Sequence, residues 1–226
     1  MYVASKRLLS YLRFLYKTLV FSFLLLIIAS CAKPHVTLPD YRDSNLQTLI
    51  SELSEITGIE ASLEVEFDKG DMVINGDMFL KADEKSMLLR IYYLGFPAGE
   101  IVEKDGEIRN TIKISKGRAQ MIALGLKRSL FWWKNRFLTT TDDDDLYILL
   151  GDGIEVIIDK KSLLPIRQRL TLQNGESLDI YYAEPKQVEE AYRRGGVTDW
   201  YQSAVTLSYR NYKALSRINS LTLLRQ

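Results

Sequence analysis

The chain has 226 residues with a hydrophobic content of 46% and a formal net charge of +1, and it contains a single cysteine. Such a chain is long enough for one globular domain, has no excess of basic residues for nucleic-acid binding, and cannot form an internal disulfide. It lacks the Gly-x-Ser-x-Gly, phosphate-loop, Cys-x-x-Cys and His-Glu-x-x-His motifs. The sequence therefore predicts a protein that is not an enzyme, with no catalytic residues, cofactor or metal and no nucleic-acid partner.

The first 30 residues have the order of a secretory signal. A basic segment without acidic residues precedes an apolar run from Leu19 to Ala29. The 13 residues between Lys17 and Cys31 carry no charge, and this stretch is shorter than the roughly 20 residues that a transmembrane helix needs. The pattern favours a cleaved signal peptide over residues 1–30, and the alternative is an uncleaved signal anchor.

The signal ends in Ile28-Ala29-Ser30-Cys31, which resembles the lipobox of bacterial prolipoproteins. The resemblance implies that Cys31 is lipidated on sulfur, becomes the mature N-terminus and binds the protein to membrane lipid through acyl chains such as palmitate. Several chains anchor a protein stably, because each buried methylene contributes about 0.8 kcal/mol. Ala32 stands where Asp would signal retention at the inner membrane. The expected location is the cell envelope, at the periplasmic face of the outer membrane in a Gram-negative organism.

Residues 31–43 are predicted to be the lipidated cysteine and a tether. Two prolines and mixed polarity give this segment neither a helical nor a strand period. In extended form it reaches up to about 40 Å. His35, the one histidine of the chain, lies here, where a flexible segment cannot hold an imidazole in catalytic geometry. Residues 44–226 are expected to form one folded domain.

Two segments of this domain are predicted to be helical. The first begins with a capping box of Ser44 and Gln47 and is expected to end at Gly58. The second runs over residues 118–134, with apolar residues at helical spacing. It ends in Phe131-Trp132-Trp133, where two adjacent indoles are not expected to face the same core. One of them is therefore a candidate contact with a partner or a membrane surface.

The rest of the domain is predicted to be β-structure, because apolar and polar residues alternate and turn signals such as Asn174-Gly175 separate the segments. Strands are predicted at residues 61–67, 72–80, 87–94, 100–103, 108–114, 146–150, 154–159, 166–172, 178–182, 204–209 and 218–224. The pattern favours a mainly antiparallel α+β fold of about ten or eleven short strands with two main helices.

This arrangement is similar to the LolA/LolB superfamily of lipoprotein-localisation factors, and the resemblance covers residues 44–226. Residues 93–101 look like the LolB stretch in which a strand ends in a Pro-Leu-Gly turn with an exposed apolar residue. Residues 163–182 look like the family's Leu-Pro hairpin. The resemblance implies a single curved sheet that forms a half-open barrel covered by helices. It also implies binding of acyl chains, or of a lipoprotein's lipid moiety, for transfer or holding at the outer membrane.

An apolar cleft is also expected from the elements themselves, because two modest helices cover only part of so wide a sheet. Its predicted lining is Phe67, Met72, Met78, Met87, Tyr93, Ile122 and Leu126. The predicted membrane-contact loop consists of Phe96, Pro97, Ala98 and Gly99. Because Ala98 replaces the leucine of the LolB turn, Phe96 is the bulky residue expected to contact the membrane.

Two alternatives remain. The same residues can pack on the helices as an ordinary core, which would make the chain a structural or assembly lipoprotein that acts through protein–protein contacts. An envelope hydrolase is a more distant alternative, since a nucleophile and a base are missing. The run Asp142–Asp145 can gather a cation such as calcium, but a solvated loop is favoured because no EF-hand spacing surrounds it. A cavity in the folded domain distinguishes a carrier from a structural lipoprotein.

Overall fold

The computed structural model describes residues 38, 41, 45–68, 73–188 and 200–225. The predicted signal peptide, Cys31 and most of the predicted tether lie outside these residues and stay predictions. Within the described part, no helix is both long and apolar enough to span a membrane.

Twelve antiparallel strands in the described residues form one open, curved sheet, which two helices accompany. The strands are β1 (Ile56–Asp68), β2 (Val73–Asp83), β3 (Ser86–Tyr93), β4 (Phe96–Lys104), β5 (Glu107–Asn110), β6 (Phe137–Asp142), β7 (Leu146–Gly151), β8 (Ile154–Asp159), β9 (Pro165–Thr171), β10 (Ser177–Gln187), β11 (Trp200–Tyr209) and β12 (Tyr212–Arg225). The helices are α1 (Leu46–Ser54) and α2 (Lys116–Leu130), and a 3₁₀ turn follows at Trp132–Lys134. The predicted fold class is confirmed.

The strand order explains why α2 covers the sheet. From edge to edge the order is β5-β4-β3-β2-β1-β12-β11-β10-β9-β8-β7-β6, so that β1 and β12 pair at the centre. The two edge strands, β5 and β6, are consecutive in the chain, and α2 lies between them. This connection must therefore cross one face of the sheet. In agreement, α2 contacts β3, β4 and β5 in one half of the sheet and β10 and β11 in the other half.

The core lies between this face and the helices. Along β1 the residues Ala61, Leu63 and Val65 are buried while the residues between them are exposed, as the predicted alternation requires. An ion pair fixes α2 to the sheet, because Lys127 Nζ donates a hydrogen bond to Glu103 Oε2 at 2.5 Å. Eight residues of α2 are buried, namely Ala119, Met121, Ile122, Ala123, Gly125, Leu126, Ser129 and Leu130.

Helix α1 differs from its prediction at both ends. Its N-cap is Asn45 rather than Ser44, and Asn45 Oδ1 accepts a hydrogen bond from an amide of the first turn at 2.7 Å. The helix ends at Ser54, whereas Gly58 lies inside β1. A Cβ atom at Gly58 would lie 3.2 Å from Leu224 Cδ1. This glycine therefore permits close packing of neighbouring strands and does not end a helix.

The sequence pattern does not predict β6. From Leu138 to Asp142 every residue of this strand is exposed. An edge strand with no buried face has no alternation of apolar and polar residues, so only its pairing with β7 reveals it. The sheet therefore has one strand more than the upper predicted count.

The prediction that one indole at the end of α2 is exposed is wrong. Trp132 and Trp133 are only 5% and 9% exposed, and their rings meet edge-on with centroids 5.9 Å apart. The 3₁₀ turn redirects the chain here, and α1 packs against it. Lys134 Nζ also donates a hydrogen bond to the Ser54 carbonyl at 3.3 Å. Both indoles are therefore enclosed between α1 and the sheet.

Candidate functional site

An open cavity of about 420 Å³, here called the main cavity, lies between the N-terminal half of α2 and strands β1 to β4 and β12. This volume falls within the roughly 300–1,000 Å³ of small-molecule sites. The apolar and aromatic residues among its lining are Phe67, Met78, Ile91, Tyr92, Tyr93, Ala98, Ile112, Ile114, Met121, Ile122 and Tyr212. The sheet therefore has an apolar region that its helices leave accessible.

The residues predicted for the cleft have different positions. Met87 and Leu126 belong to the packed core and do not line the main cavity. Met72 lies outside the described residues. Four others line the main cavity, and they are Phe67, Met78, Tyr93 and Ile122. Since Tyr93 is 59% exposed, it stands at the mouth of the cavity.

The middle of α2 packs directly on the sheet. A Cβ atom at Gly125 would lie 2.7 Å from Leu207 Cδ1 and 2.8 Å from Leu207 Cδ2, which is closer than van der Waals contact. Glycine therefore lets the helix rest on β11 and leaves no room for a ligand between them. A second cavity, lined by α1 and both indoles of the 3₁₀ turn, has a volume of only about 70 Å³. A third cavity, of about 440 Å³, has charged residues such as Glu64, Asp77 and Arg217 in its lining. The apolar space for a ligand is therefore at the N-terminal half of α2.

The β3–β4 hairpin carries an exposed apolar tip beside the mouth of the main cavity. Its residues Tyr93, Leu94 and Phe96 are 59%, 79% and 75% exposed. Leu94 and Gly95 form the turn with φ values of 50° and 80°, which are the two positive values of a type I′ turn. A solvent-exposed leucine with positive φ is strained as well as poorly solvated. Strain and exposed apolar area together mark a candidate contact surface.

The predicted contact loop of residues 96–99 is the beginning of β4 and not a loop. Aromatic residues on both sides of the turn favour strand structure, and Tyr93 pairs with Phe96 directly across the hairpin. Gly99 has a φ of 146°, and a Cβ atom there would lie 3.0 Å from Ile112 Cγ1. Glycine therefore permits this part of the hairpin to pack on the segment that precedes α2.

Cations, but no carboxylates, stand among the residues that line the main cavity. These cations are Lys113, Arg118 and Lys213. The Arg118 guanidinium lies over the Tyr212 ring, with Cζ 4.3 Å from the ring centroid. Its Nε is buried and has no hydrogen-bond partner in the described part of the chain. Neither Lys113 nor Arg118 forms an ion pair with a residue that the structure describes.

Lys113 and Arg118 are site residues that the sequence analysis missed, although a signal for them is present. Ser115 caps α2 and accepts a hydrogen bond from the Arg118 amide at 3.4 Å. Lys113, Lys116 and Arg118 thus surround the N-terminus of a helix whose first turn has no acidic residue. Helix N-termini carry partial positive charge and favour acidic side chains. These cations therefore gain nothing from the helix dipole.

A buried polar contact joins β9 and β10, in the half of the sheet away from the main cavity. The Tyr182 hydroxyl donates a hydrogen bond to Gln168 Oε1 at 2.6 Å, and both side chains are buried. Burial raises the pKa of Tyr182 well above its ordinary value. The phenol therefore stays protonated at neutral pH, which makes it a structural hydrogen-bond donor.

The acidic run is paired with a lysine. Lys160 Nζ forms an ion pair with Asp142 and donates hydrogen bonds to the backbone carbonyls of Asp143 and Asp144. The hydrogen bond to Asp142 raises the pKa of Lys160. In the described ranges, no group of three His, Cys, Asp or Glu side chains is placed to hold a metal ion.

No family model and no curated protein matches this chain. Among solved structures, it is similar to a LolA superfamily protein from Nitrosomonas europaea, with a TM-score of 0.55 and 10% identity over 81% of this chain and 95% of that chain. It is also similar to a domain described as an outer membrane lipoprotein-sorting protein from Vibrio parahaemolyticus (TM-score 0.49, 12% identity, 80% and 93% covered). A DUF1329 family protein from Desulfovibrio piger gives a TM-score of 0.46 at 10% identity, with 83% and 94% covered. The fold of this chain is that of LolA superfamily proteins.

Proposed function

We propose that this protein is a lipid-anchored envelope protein that binds an acyl chain, or the lipid moiety of a lipoprotein, for transfer or holding. The observation that carries the proposal is the open apolar cavity of about 420 Å³ under the N-terminal half of α2. A purely structural module would fill this part of the face with its own side chains. Binding is non-covalent and needs no catalytic group. Its free energy comes from burial of the chain, since each buried methylene contributes about 0.8 kcal/mol.

The hairpin tip supports contact between the cavity mouth and a bilayer. Burying an exposed Leu94 or Phe96 side chain in lipid stabilises the contact by about 1.5–3 kcal/mol each. Tyr93 suits the interface, where aromatic rings with a polar end concentrate. Since Tyr93 also lines the main cavity, insertion of the tip places the mouth at the membrane surface. An acyl chain then enters without crossing water.

The anchor is part of the same proposal. The lipobox resemblance supports acylation of Cys31 after removal of residues 1–30, at the periplasmic face of the outer membrane in a Gram-negative cell. A tether of residues 31–43 gives the domain a reach of about 40 Å from its anchor. A lipid-anchored domain with this reach can deliver an acyl chain to its own membrane.

Lipid analysis of the purified full chain tests the proposal. Ala98 lies at the mouth of the main cavity and is exposed, so Ala98→Trp should block entry with a stability change within about 0.5 kcal/mol. The matched control is Ala183→Trp, at an exposed position of β10 outside the main cavity. Solvent extraction separates non-covalently bound lipids, which mass spectrometry then quantifies, from lipid attached to the protein.

We expect one lipid class to be enriched over the bulk membrane composition in the wild type and in Ala183→Trp but not in Ala98→Trp. Equal lipid content in all three proteins would contradict binding in the main cavity. That result would favour the structural lipoprotein, which acts through protein–protein contacts.

A further inference from the structure

We propose that the ligand of the main cavity is a single-chain amphiphile with an anionic head group, a long-chain fatty acid, whose carboxylate is bound by Arg118 and Lys113. This inference rests on the proposed acyl-chain binding and adds the chemical class of the ligand. Three features carry it: the size of the cavity, the charges that line it, and the unused hydrogen-bonding capacity of Arg118.

The size of the main cavity indicates one chain. Its volume of about 420 Å³ is in the lower half of the range of small-molecule sites, which suits a single acyl chain. A phospholipid with two chains, or a lipidated cysteine with three, needs more space. A ligand with one chain fills the apolar part and leaves its head at the mouth.

The charges around the cavity indicate the head. Lys113, Arg118 and Lys213 line it, and no acidic residue does. The N-terminus of α2 adds the partial positive charge of the helix dipole at the same place, since Arg118 lies in its first turn. An anionic head is attracted by all of these groups, whereas an uncharged head gains nothing from them.

Arg118 is held in a geometry that suits a carboxylate. Its guanidinium lies over the Tyr212 ring at 4.3 Å, which fixes the plane of the fork. Its buried Nε has no hydrogen-bond partner in the described residues, and the guanidinium forms no ion pair with them. A guanidinium without an ion-pair partner can donate charge-assisted hydrogen bonds to a carboxylate that enters the cavity.

Photo-crosslinking of the full chain anchored in phosphatidylcholine vesicles tests this inference. The probes are palmitate, hexadecanol and palmitoyl-lysophosphatidylglycerol, each with a diazirine near the chain end. They carry a carboxylate, an uncharged and a phosphate head. Labelled peptides are identified by mass spectrometry, and the quantity compared is labelling of the peptide that contains Met121 and Ile122, which line the main cavity. The variants are Lys113→Gln, Arg118→Gln and, as the matched control, Lys161→Gln at an exposed turn outside the main cavity.

We expect palmitate to label this peptide at least about tenfold more than hexadecanol, the difference of one charge-assisted interaction. Arg118→Gln and Lys113→Gln should each lower palmitate labelling severalfold, leave hexadecanol labelling unchanged and leave the melting temperature within a few degrees of wild type. Should Arg118→Gln unfold the domain, Lys113→Gln decides the test alone, because Lys113 is exposed.

Equal labelling by palmitate and hexadecanol, unaffected by both variants, would overturn the anionic head while leaving acyl-chain binding intact. Stronger labelling by the lysophospholipid than by palmitate would overturn the fatty acid as the ligand. No labelling of the cavity peptide by any probe would overturn the proposed function itself, and this inference with it.

Discussion

The contact between Gly125 and Leu207 provides a sharp test of where the ligand space lies. A Cβ atom at Gly125 would approach two methyl carbons of Leu207 to 2.7 and 2.8 Å, and Leu207 is 0% exposed. Gly125→Leu adds three more carbons beyond that Cβ, so either the helix or β11 must move. Overpacking of this kind costs about 1–3 kcal/mol.

The net loss in the free energy of unfolding is smaller than the cost of the clash alone. Replacing glycine in a helix interior by leucine recovers about 0.8 kcal/mol of helix propensity. With the clash at the upper end of its range, we expect Gly125→Leu to lower the free energy of unfolding by about 2 kcal/mol. For a domain of this size each kcal/mol shifts the melting temperature by about 2–4 °C. The expected decrease is therefore about 4–8 °C.

Gly117→Leu is the matched control, since Gly117 belongs to the same helix and a Cβ atom there would meet nothing within 4 Å. Calorimetry or circular dichroism should show this variant at or above the wild-type melting temperature. If Gly125→Leu proved as stable as Gly117→Leu, α2 would not rest on β11. The ligand space would then extend under the whole helix and would not be confined to its N-terminal half.

Three further predictions concern the hairpin tip, the anchor and an ion pair. Because Phe96 is 75% exposed, Phe96→Glu should change the free energy of unfolding by less than about 0.5 kcal/mol while slowing fatty-acid transfer between vesicles; a loss of about 3 kcal/mol would place the ring in the core. Cys31→Ser should release the protein from the membrane pellet on fractionation, and firm retention there would contradict lipidation. Burial alone would raise the pKa of Asp179, but hydrogen bonds from Arg167 and Arg169, both 2.9 Å long, outweigh it and lower that pKa. The contribution of this pairing to the free energy of unfolding is full above the ordinary pKa of an aspartate and is lost as the pH falls through the lowered pKa of Asp179. Asp179→Asn should therefore make the free energy of unfolding depend less on pH on the acid side of the curve. An unchanged acid side would refute the pairing.

Local sequence patterns predicted most strands, because the alternation and the turns that define a strand have local causes. The alternation of residues 61–67 follows from one buried face, and the turn at Asn174-Gly175 follows from the positive φ of 78° that Gly175 adopts. The central pairing of β1 with β12 joins the two ends of the domain. No local period encodes such a contact, so the crossing of α2 from edge to edge could not be predicted from the pattern.

The same limit applies to the site. Met78 and Met87 lie on neighbouring strands with the same inward pattern and are 3% and 0% exposed, yet Met78 lines the main cavity and Met87 does not. The position of α2 on the sheet, with Gly125 against Leu207, is a long-range contact that the local pattern does not encode. Arg118 was predictable in principle, because cations at a helix N-terminus contradict the dipole preference.

Anomalous diffraction from crystals of the protein grown with a terminally brominated fatty acid tests most directly whether the main cavity holds an acyl chain. We expect a bromine peak between α2 and the sheet, within contact distance of Met78 and Ile122. Bromine found only on the surface, with the main cavity unchanged, would contradict acyl-chain binding in the main cavity.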